Sequence, residues 1–322
     1  MRSGLSAIVL SAALLVILLV ASNGGAQAPQ QAAGIYVADR GNGRIVRMKD
    51  MTGAGWVALG GTGAGRGQFD SPAGVYVDVA GRIYVADRGN NRIVRTNDMK
   101  GSGWTALGTA GSGTKQFSTP RGVFVDAKSR IYVADSGNNR IVRMDDMTGA
   151  GWTALGTYGT GANQLNQPIS VFVDAKNRIY VPDSGAGTSI RSVVQMDDIS
   201  GTGWTRLGVW GRGTNQFDIP TGVFVDVAGR IHVADSANNR IVRMDDMAGA
   251  GWTTLGSRGS GVKQFSLPLS VFLDPAGRIY VADGLNNRIV RVDDISGAGW
   301  TTLGTAGSGV KQFTLPGFVF VR

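Results

Sequence analysis

Arg130-Ile131-Tyr132-Val133-Ala134-Asp135-Ser136-Gly137-Asn138-Asn139-Arg140-Ile141-Val142-Arg143-Met144 decides the fold, because it recurs. Its two ends are rich in β-branched and aromatic residues and read as strands, and the Gly-Asn-Asn between them reads as a tight turn. The string Ile-Tyr-Val-Ala-Asp, or a close variant, begins at Ile35, Ile83, Ile131, Ile179, Ile231 and Ile279, at spacings of 48, 48, 48, 52 and 48 residues. A Gly-Trp-x-x-Leu-Gly string keeps the same phase, with its Trp at 56, 104, 152, 204, 252 and 300. The one irregularity is four extra residues between Asp183 and Met196.

Within the third copy, four segments have strand character: 123–126, 130–133, 140–144 and 151–155, with Gly, Asn, Asp or Pro between them. Four strands per unit and six units of 48 residues predict an all-β chain, a six-bladed β-propeller of four-stranded antiparallel blades. A linear β-solenoid is the rival, but its turns are shorter than this period. The first unit starts at Gly34-Ile35-Tyr36, a second strand with no first strand before it. Pro316-Gly317-Phe318-Val319-Phe320-Val321-Arg322 matches a first strand that has no successor. The C-terminal strand is therefore expected to complete the first blade and close the ring, which removes the exposed edges of an open array.

Gly111-Ser112-Gly113-Thr114-Lys115-Gln116-Phe117-Ser118-Thr119-Pro120-Arg121-Gly122-Val123-Phe124-Val125-Asp126, with the strand–turn–strand that follows it, resembles an NHL repeat. The resemblance spans residues 34–322 and recurs six times. It implies a propeller fold; for function it implies extracellular sensors, RNA- and protein-binding domains, and a few metal-dependent lyases.

Composition excludes much chemistry. The chain of 322 residues has no cysteine, one histidine (His232) and no glutamate, so all 23 acidic residues are Asp. Disulfides, thiolate zinc sites, cysteine nucleophiles and sites of two or more histidines are ruled out within one chain. The 32 basic residues outnumber the 23 acidic ones and give a net charge of +9, which favours anionic partners.

Residues 1–26 read as a signal peptide. Arg2 is the only charge before the uncharged apolar run Leu5–Ala21, and Gly24 and Ala26 place small residues for cleavage after Ala26. The run of 17 residues would serve as a membrane anchor only if left uncleaved. Residues 27–33 read as a linker and residues 34–322 as the propeller. The mature protein is expected to be secreted or periplasmic.

Most recurring polar residues have structural readings. Asp39, Asp87, Asp135, Asp183, Asp235 and Asp283 end the second strand just before a turn, where Asp and Asn bond nearby backbone N–H groups. Arg44, Arg92, Arg140, Arg240 and Arg288 are expected to pair with turn carboxylates or carbonyls. The Asp pairs at 145–146, 197–198, 245–246 and 293–294 lack the ligand spacing of a calcium loop and read as turns. The six phased Trp residues read as packing between blades.

Lyases of the resembled type rely on histidines and a metal, which one histidine cannot supply. His232 stands where the other copies have Tyr and reads as a packing substitution. Lactonase-type propellers use a Glu that this chain lacks. The reading is an exported, non-catalytic binding or scaffold module, monomeric, with no cofactor and no metal. Its expected partner is an extracellular protein or an anionic glycan or wall polymer, held on one face. Export argues against nucleic acid. The alternative is a metal-dependent lyase or lactonase-type enzyme with an Asp- and Asn-based site. Symmetry-breaking positions locate the face. The third residue after the Leu of the blade-to-blade loop reads Thr62, Ala110, Tyr158, Trp210, Arg258 and Ala306, and the unit with the insertion also departs at Pro182 and Gln195. Tyr158, the insertion with Arg191, Trp210, Arg212 and Arg258 are expected to gather on one sector, where aromatic faces beside Arg suit an anionic sugar or aromatic group.

Overall fold

The computed structural model describes residues 34–185 and 187–322. The expected signal peptide (1–26) and linker (27–33) lie outside them. Among the described residues six four-stranded antiparallel sheets form the blades of a propeller, each running from an inner first strand to an outer fourth strand. In blade 3 these strands are Pro120–Val125, Ile131–Asp135, Arg140–Met144 and Thr153–Leu155.

The sequence pattern dictates the layering. A strand covered on both faces needs apolar residues on both, and Ile131-Tyr132-Val133-Ala134 is buried throughout. Each blade packs its face on the next through a core of its own. Tyr84, Ala86 and Ile93 of blade 2, for example, meet Phe117, Val123, Val133 and Val142 of blade 3. The first strand alternates instead: Val123 and Val125 enter these cores, and Phe124 between them faces the axis. The axial residues of the six blades, Tyr76, Phe124, Phe172, Phe224, Phe272 and Phe320, form a closed ring, each centroid 4.8–5.1 Å from the next and tilted by 53–61°. These tilted to edge-to-face contacts suit the aromatic quadrupole, and the six rings line a cavity of about 50 Å³ at the waist of the channel.

Trp152 lies just before the fourth strand rather than in it. It packs on Phe117 at 5.2 Å under the guanidinium of Arg140, in the core shared by blades 2 and 3.

The C-terminal strand Pro316–Val321 closes the ring as expected. It pairs antiparallel with Ile35–Asp39, setting Ile35 opposite Val321, Tyr36 opposite Phe320 and Val37 opposite Val319. Backbone bonds in both directions between Gly34 and Arg322 extend the seam.

Blade 4 departs from the pattern. Its first strand shrinks to Phe172–Val173. Pro182, in the Ala position of the second strand, has no N–H to give to that side of the ladder; only its carbonyl is used there, accepting from Ile169 N at 3.2 Å.

Deleting Pro316–Arg322 removes one whole strand and buried Val319 and Phe320. The expected result is a melting temperature lower by about 10 °C or more, read by thermal unfolding followed by circular dichroism. An unchanged melting temperature would mean that the seam does not hold the ring shut.

Candidate functional site

One end of the disc, termed here the upper face, carries the turns between second and third strands and the loops from blade to blade. The Asp that ends each second strand organises both. In blade 3 the Asp135 carboxylate accepts from Ser118 N at 2.7 Å, Asn138 Nδ2 at 2.8 Å and Arg140 Nε at 2.8 Å. Arg140 then reaches the loop carbonyls of Ser112 and Gln116, and Asn138 reaches that of Gly111. Asn139, left-handed at φ 55°, accepts from Gln167 N of the next blade's loop. Asp39, Asp87, Asp235 and Asp283 repeat the first arrangement. Burial raises these carboxyls, Asp235 to about 6, and the donors pull them back.

Blade 4 solves the same problem differently. The insertion replaces the Asn-Asn-Arg turn, and Ser192 takes the Arg position. Arg206, in a fourth-strand position that is Ala or Thr elsewhere, supplies the guanidinium instead. Its Nη1 lies 2.6 Å from Asp183 Oδ2 and 2.7 Å from Ser192 Oγ, its Nη2 bonds Gln164 O, and it lies over Trp204.

Tyr158, Arg191, Trp210, Arg212 and Arg258 lie on loops and turns of this face. Trp210 (59% exposed) and Tyr158 (66%) are the large aromatic side chains left in solvent, whereas the six phased Trp are half-buried. Trp210 N donates to Ser189 O of the insertion at 2.8 Å. Arg191 is held by an ion pair with Asp218 on the Trp210 loop. Arg212 is exposed, and its charge favours ionised Asp235. Tyr158 and exposed Arg258 stand on the loops to either side, each fixed by a parallel bridge, to Leu165 and Phe265. The structure thus joins the insertion to Trp210 and sets Tyr158 and Arg258 along the same rim.

A second break in symmetry lies at the channel mouth, and the sequence analysis did not single it out. The residue after the second-strand Asp is Arg40 and Arg88 in blades 1 and 2, but Ser136, Ser184, Ser236 and Gly284 in the others. The residue after the first-strand Pro is Arg121 in blade 3, but Ala73, Ile169, Thr221, Leu269 and Gly317 elsewhere. The three arginines and those five residues line one recess of about 40 Å³, floored by Phe318, which stands where the other copies have Gly or Ser. Among the described residues none of the three forms an ion pair, and no hydrogen bond reaches the buried Nε of Arg88 or Arg121. Burial, then repulsion by Arg88 and Arg40, lowers Arg121 to about 10; burial and Arg88 lower Arg40. Comparing repeat columns would have revealed the three positions; only the ring shows that they converge.

His232 is 3% exposed, and its Nε2 lies 3.2 Å from Asp226 Oδ2, where the tyrosine hydroxyls of other blades donate to the equivalent Asp. Among the described residues no three His or Asp side chains gather where they could hold a metal ion.

Comparison with known proteins agrees with the architecture. The NHL-repeat model matches residues 69–95 and 117–144, which fall in blades 2 and 3 of the six-bladed propeller. No curated protein sequence matches it. A propeller in the nidogen/laminin complex superposes with a TM-score of 0.65 at 18% identity, covering 84% of this chain and 93% of that one. The virginiamycin B lyase of Staphylococcus aureus superposes at 0.57 with 12% identity, covering 86% and 82%. A catalytically inactive histidine variant of that lyase with quinupristin gives 0.55 at 14% identity, covering 83% of each chain. At these identities the likeness is one of fold.

Two substitutions test the wiring. Arg206→Ala takes the guanidinium from the buried Asp183 carboxylate, which keeps Asn166 N as a donor, and should cost about 3 kcal/mol in denaturant unfolding; a loss within error would show that Asp183 does not depend on the guanidinium. His232 is lowered from its ordinary 6.5, chiefly by burial. A group depressed in the folded state gives stability that is present above its unfolded value and is lost as pH falls through the folded one. His232→Tyr should therefore flatten the loss of stability below pH 6.5, measured as melting temperature against pH. Parallel curves for the two proteins would remove His232 from the acid response.

Proposed function

We propose that the protein is an exported binding module that recognises an extracellular protein or an anionic glycan or wall polymer through the upper face. One observation carries the reading: the aromatic side chains released from packing, Tyr158 and Trp210, share a rim with Arg212 and Arg258. An exposed indole or phenol supplies area at small entropic cost, and a guanidinium beside it supplies a charged fork. Arg191 fixes the insertion against the Trp210 loop and so presets that part of the rim. The net charge of +9 favours anionic partners. That a similar propeller occurs in the nidogen/laminin complex supports a protein as one class of partner. Export rests on the N-terminal sequence, with Gln27 as the expected first residue of the mature chain.

The alternative, a lyase or lactonase-type enzyme, would need an Asp- and Asn-based centre. The second-strand carboxylates are already taken up by Asn and Arg of the fold, and His232 is committed to Asp226.

The test is a binding screen of the secreted protein against acidic glycans, wall polymers and extracellular proteins, with N-terminal sequencing and metal analysis of the same sample. Trp210→Ala with Tyr158→Ala, and separately Arg212→Ala with Arg258→Ala, should leave the melting temperature intact and weaken the ligand found by about tenfold or more. Unchanged affinity in both pairs would move the site off this rim. A stoichiometric calcium or transition metal would favour the enzyme.

A further inference from the structure

We propose that Arg40, Arg88 and Arg121 form a binding site for a multiply charged oxyanion, a phosphate, a sulfate or clustered carboxylates, at the mouth of the central channel. The site goes beyond the rim described above: its arginines stand on blades 1 to 3, at other repeat positions, and none of the rim residues lines it.

The fold does not require these arginines. The same two positions hold Ser, Gly, Ala, Ile, Thr or Leu in the remaining blades, which close and pack alike. The arginines that tie the turns of the repeat are neutralised there, Arg140 by Asp135 and Arg130 by Asp126, for example. Arg40, Arg88 and Arg121 converge with no carboxylate among the residues that line their recess. Guanidinium groups stay charged at any physiological pH. Three such charges repel one another and are partly cut off from water, a cost that a bound anion would relieve. The buried Nε atoms of Arg88 and Arg121 are donors without acceptors, and oxyanions offer several acceptor oxygens to planar forks.

The recess sets the size of the ligand. About 40 Å³ bounded by Phe318, Ile169 and Leu269 admits a few waters or one oxyanion head, not a sugar ring. The apolar floor keeps the local dielectric low, which strengthens each charge-assisted bond. The aromatic waist and Phe318 lie beneath the site, so the ligand enters from the upper face, and any larger body attached to the oxyanion stays outside.

The experiment uses the full chain, titrated by calorimetry with sodium phosphate, sodium sulfate and sodium citrate against sodium chloride of equal ionic strength. Saturable binding of at least one of the three, with a rise in melting temperature beyond that in chloride, is expected. Arg121→Gln and Arg88→Gln should each weaken that binding by about tenfold or more. In chloride alone both should melt no lower than the wild type, because each removes a repulsive charge. Exposed Arg66→Gln, which changes the net charge equally, should bind like the wild type. If glucose 6-phosphate binds as tightly as inorganic phosphate, the site takes the head group of a larger ligand; if only the inorganic ion binds, it takes the free anion. No binding above chloride for any of the three anions, or equal binding by the wild type and both variants, overturns the proposal. Since the probes are small ions and the variants leave the rim untouched, this result stands apart from the outcome of the rim experiment.

Discussion

The buried carboxylate at the end of each second strand is the interaction on which the upper half of the propeller depends. Leaving such a group without partners costs several kcal/mol, so the sequence around it is constrained to bring donors in. Asp135 draws Ser118 N from the incoming loop, Asn138 from the turn and Arg140 from the third strand, so one side chain fixes three segments together. At the seam, Asp39 does this across the two ends of the chain by accepting from Thr314 N. Blade 4 shows that the constraint concerns the charge rather than the residue that meets it. There the Asn-Asn-Arg turn is gone, and a guanidinium arrives from the fourth strand at Arg206.

The periodicity carried the fold because every blade solves the same packing problem with the same residues. Ile-Tyr-Val-Ala-Asp could only be a strand covered on both sides, and an unmatched first strand at Pro316–Arg322 had only Ile35–Asp39 left to pair with. Local detail was less legible. Trp152 belongs to a core shared by two blades and to an Arg140 stack, not to the fourth strand, because contacts formed by Phe117 from another loop decide its place. Arg206 stands where the other copies have Ala or Thr, and its role follows only from what the insertion removed. At the face the limit was geometric. The outer-loop column from Thr62 to Ala306 was visible as a column, but Arg40, Arg88 and Arg121 sit in two columns and three blades, and only the ring brings them to one point.

Symmetry also explains where ligands can go. Phe124 and its five counterparts touch in a closed circle, and Phe318 replaces a Gly or Ser at the level above. A propeller whose waist is narrowed in this way to a cavity of about 50 Å³ offers its faces to any larger ligand. Its recognition chemistry must then lie in side chains that the repeat does not need, on loops that the strut of Asp, Asn and Arg holds rigid. Rigid presentation matters energetically, since loops that need no ordering on binding lose less entropy in the complex.

The distribution of charge sharpens the point. With no Glu, the chain has 23 Asp to answer 32 basic residues. The Asp residues stand at fixed phases: second-strand ends bind Arg44 and its counterparts, and first turns bind arginines four residues on, as Asp126 binds Arg130. Turns into the fourth strand cap backbone N–H groups, as Asp146 caps Thr148. A carboxylate committed at a fixed phase is open to an arginine that appears in one unit only where the usual partner is missing, as Asp183 is to Arg206. An arginine off the pattern is therefore answered by a local exception, as Asp218 answers Arg191, or is left for something outside the chain. The basic excess is in this sense not a diffuse property of the surface. Part of it lies where the repeat is broken, at Arg40, Arg88 and Arg121, where a partner with negative charge would find donors that the fold has not already used.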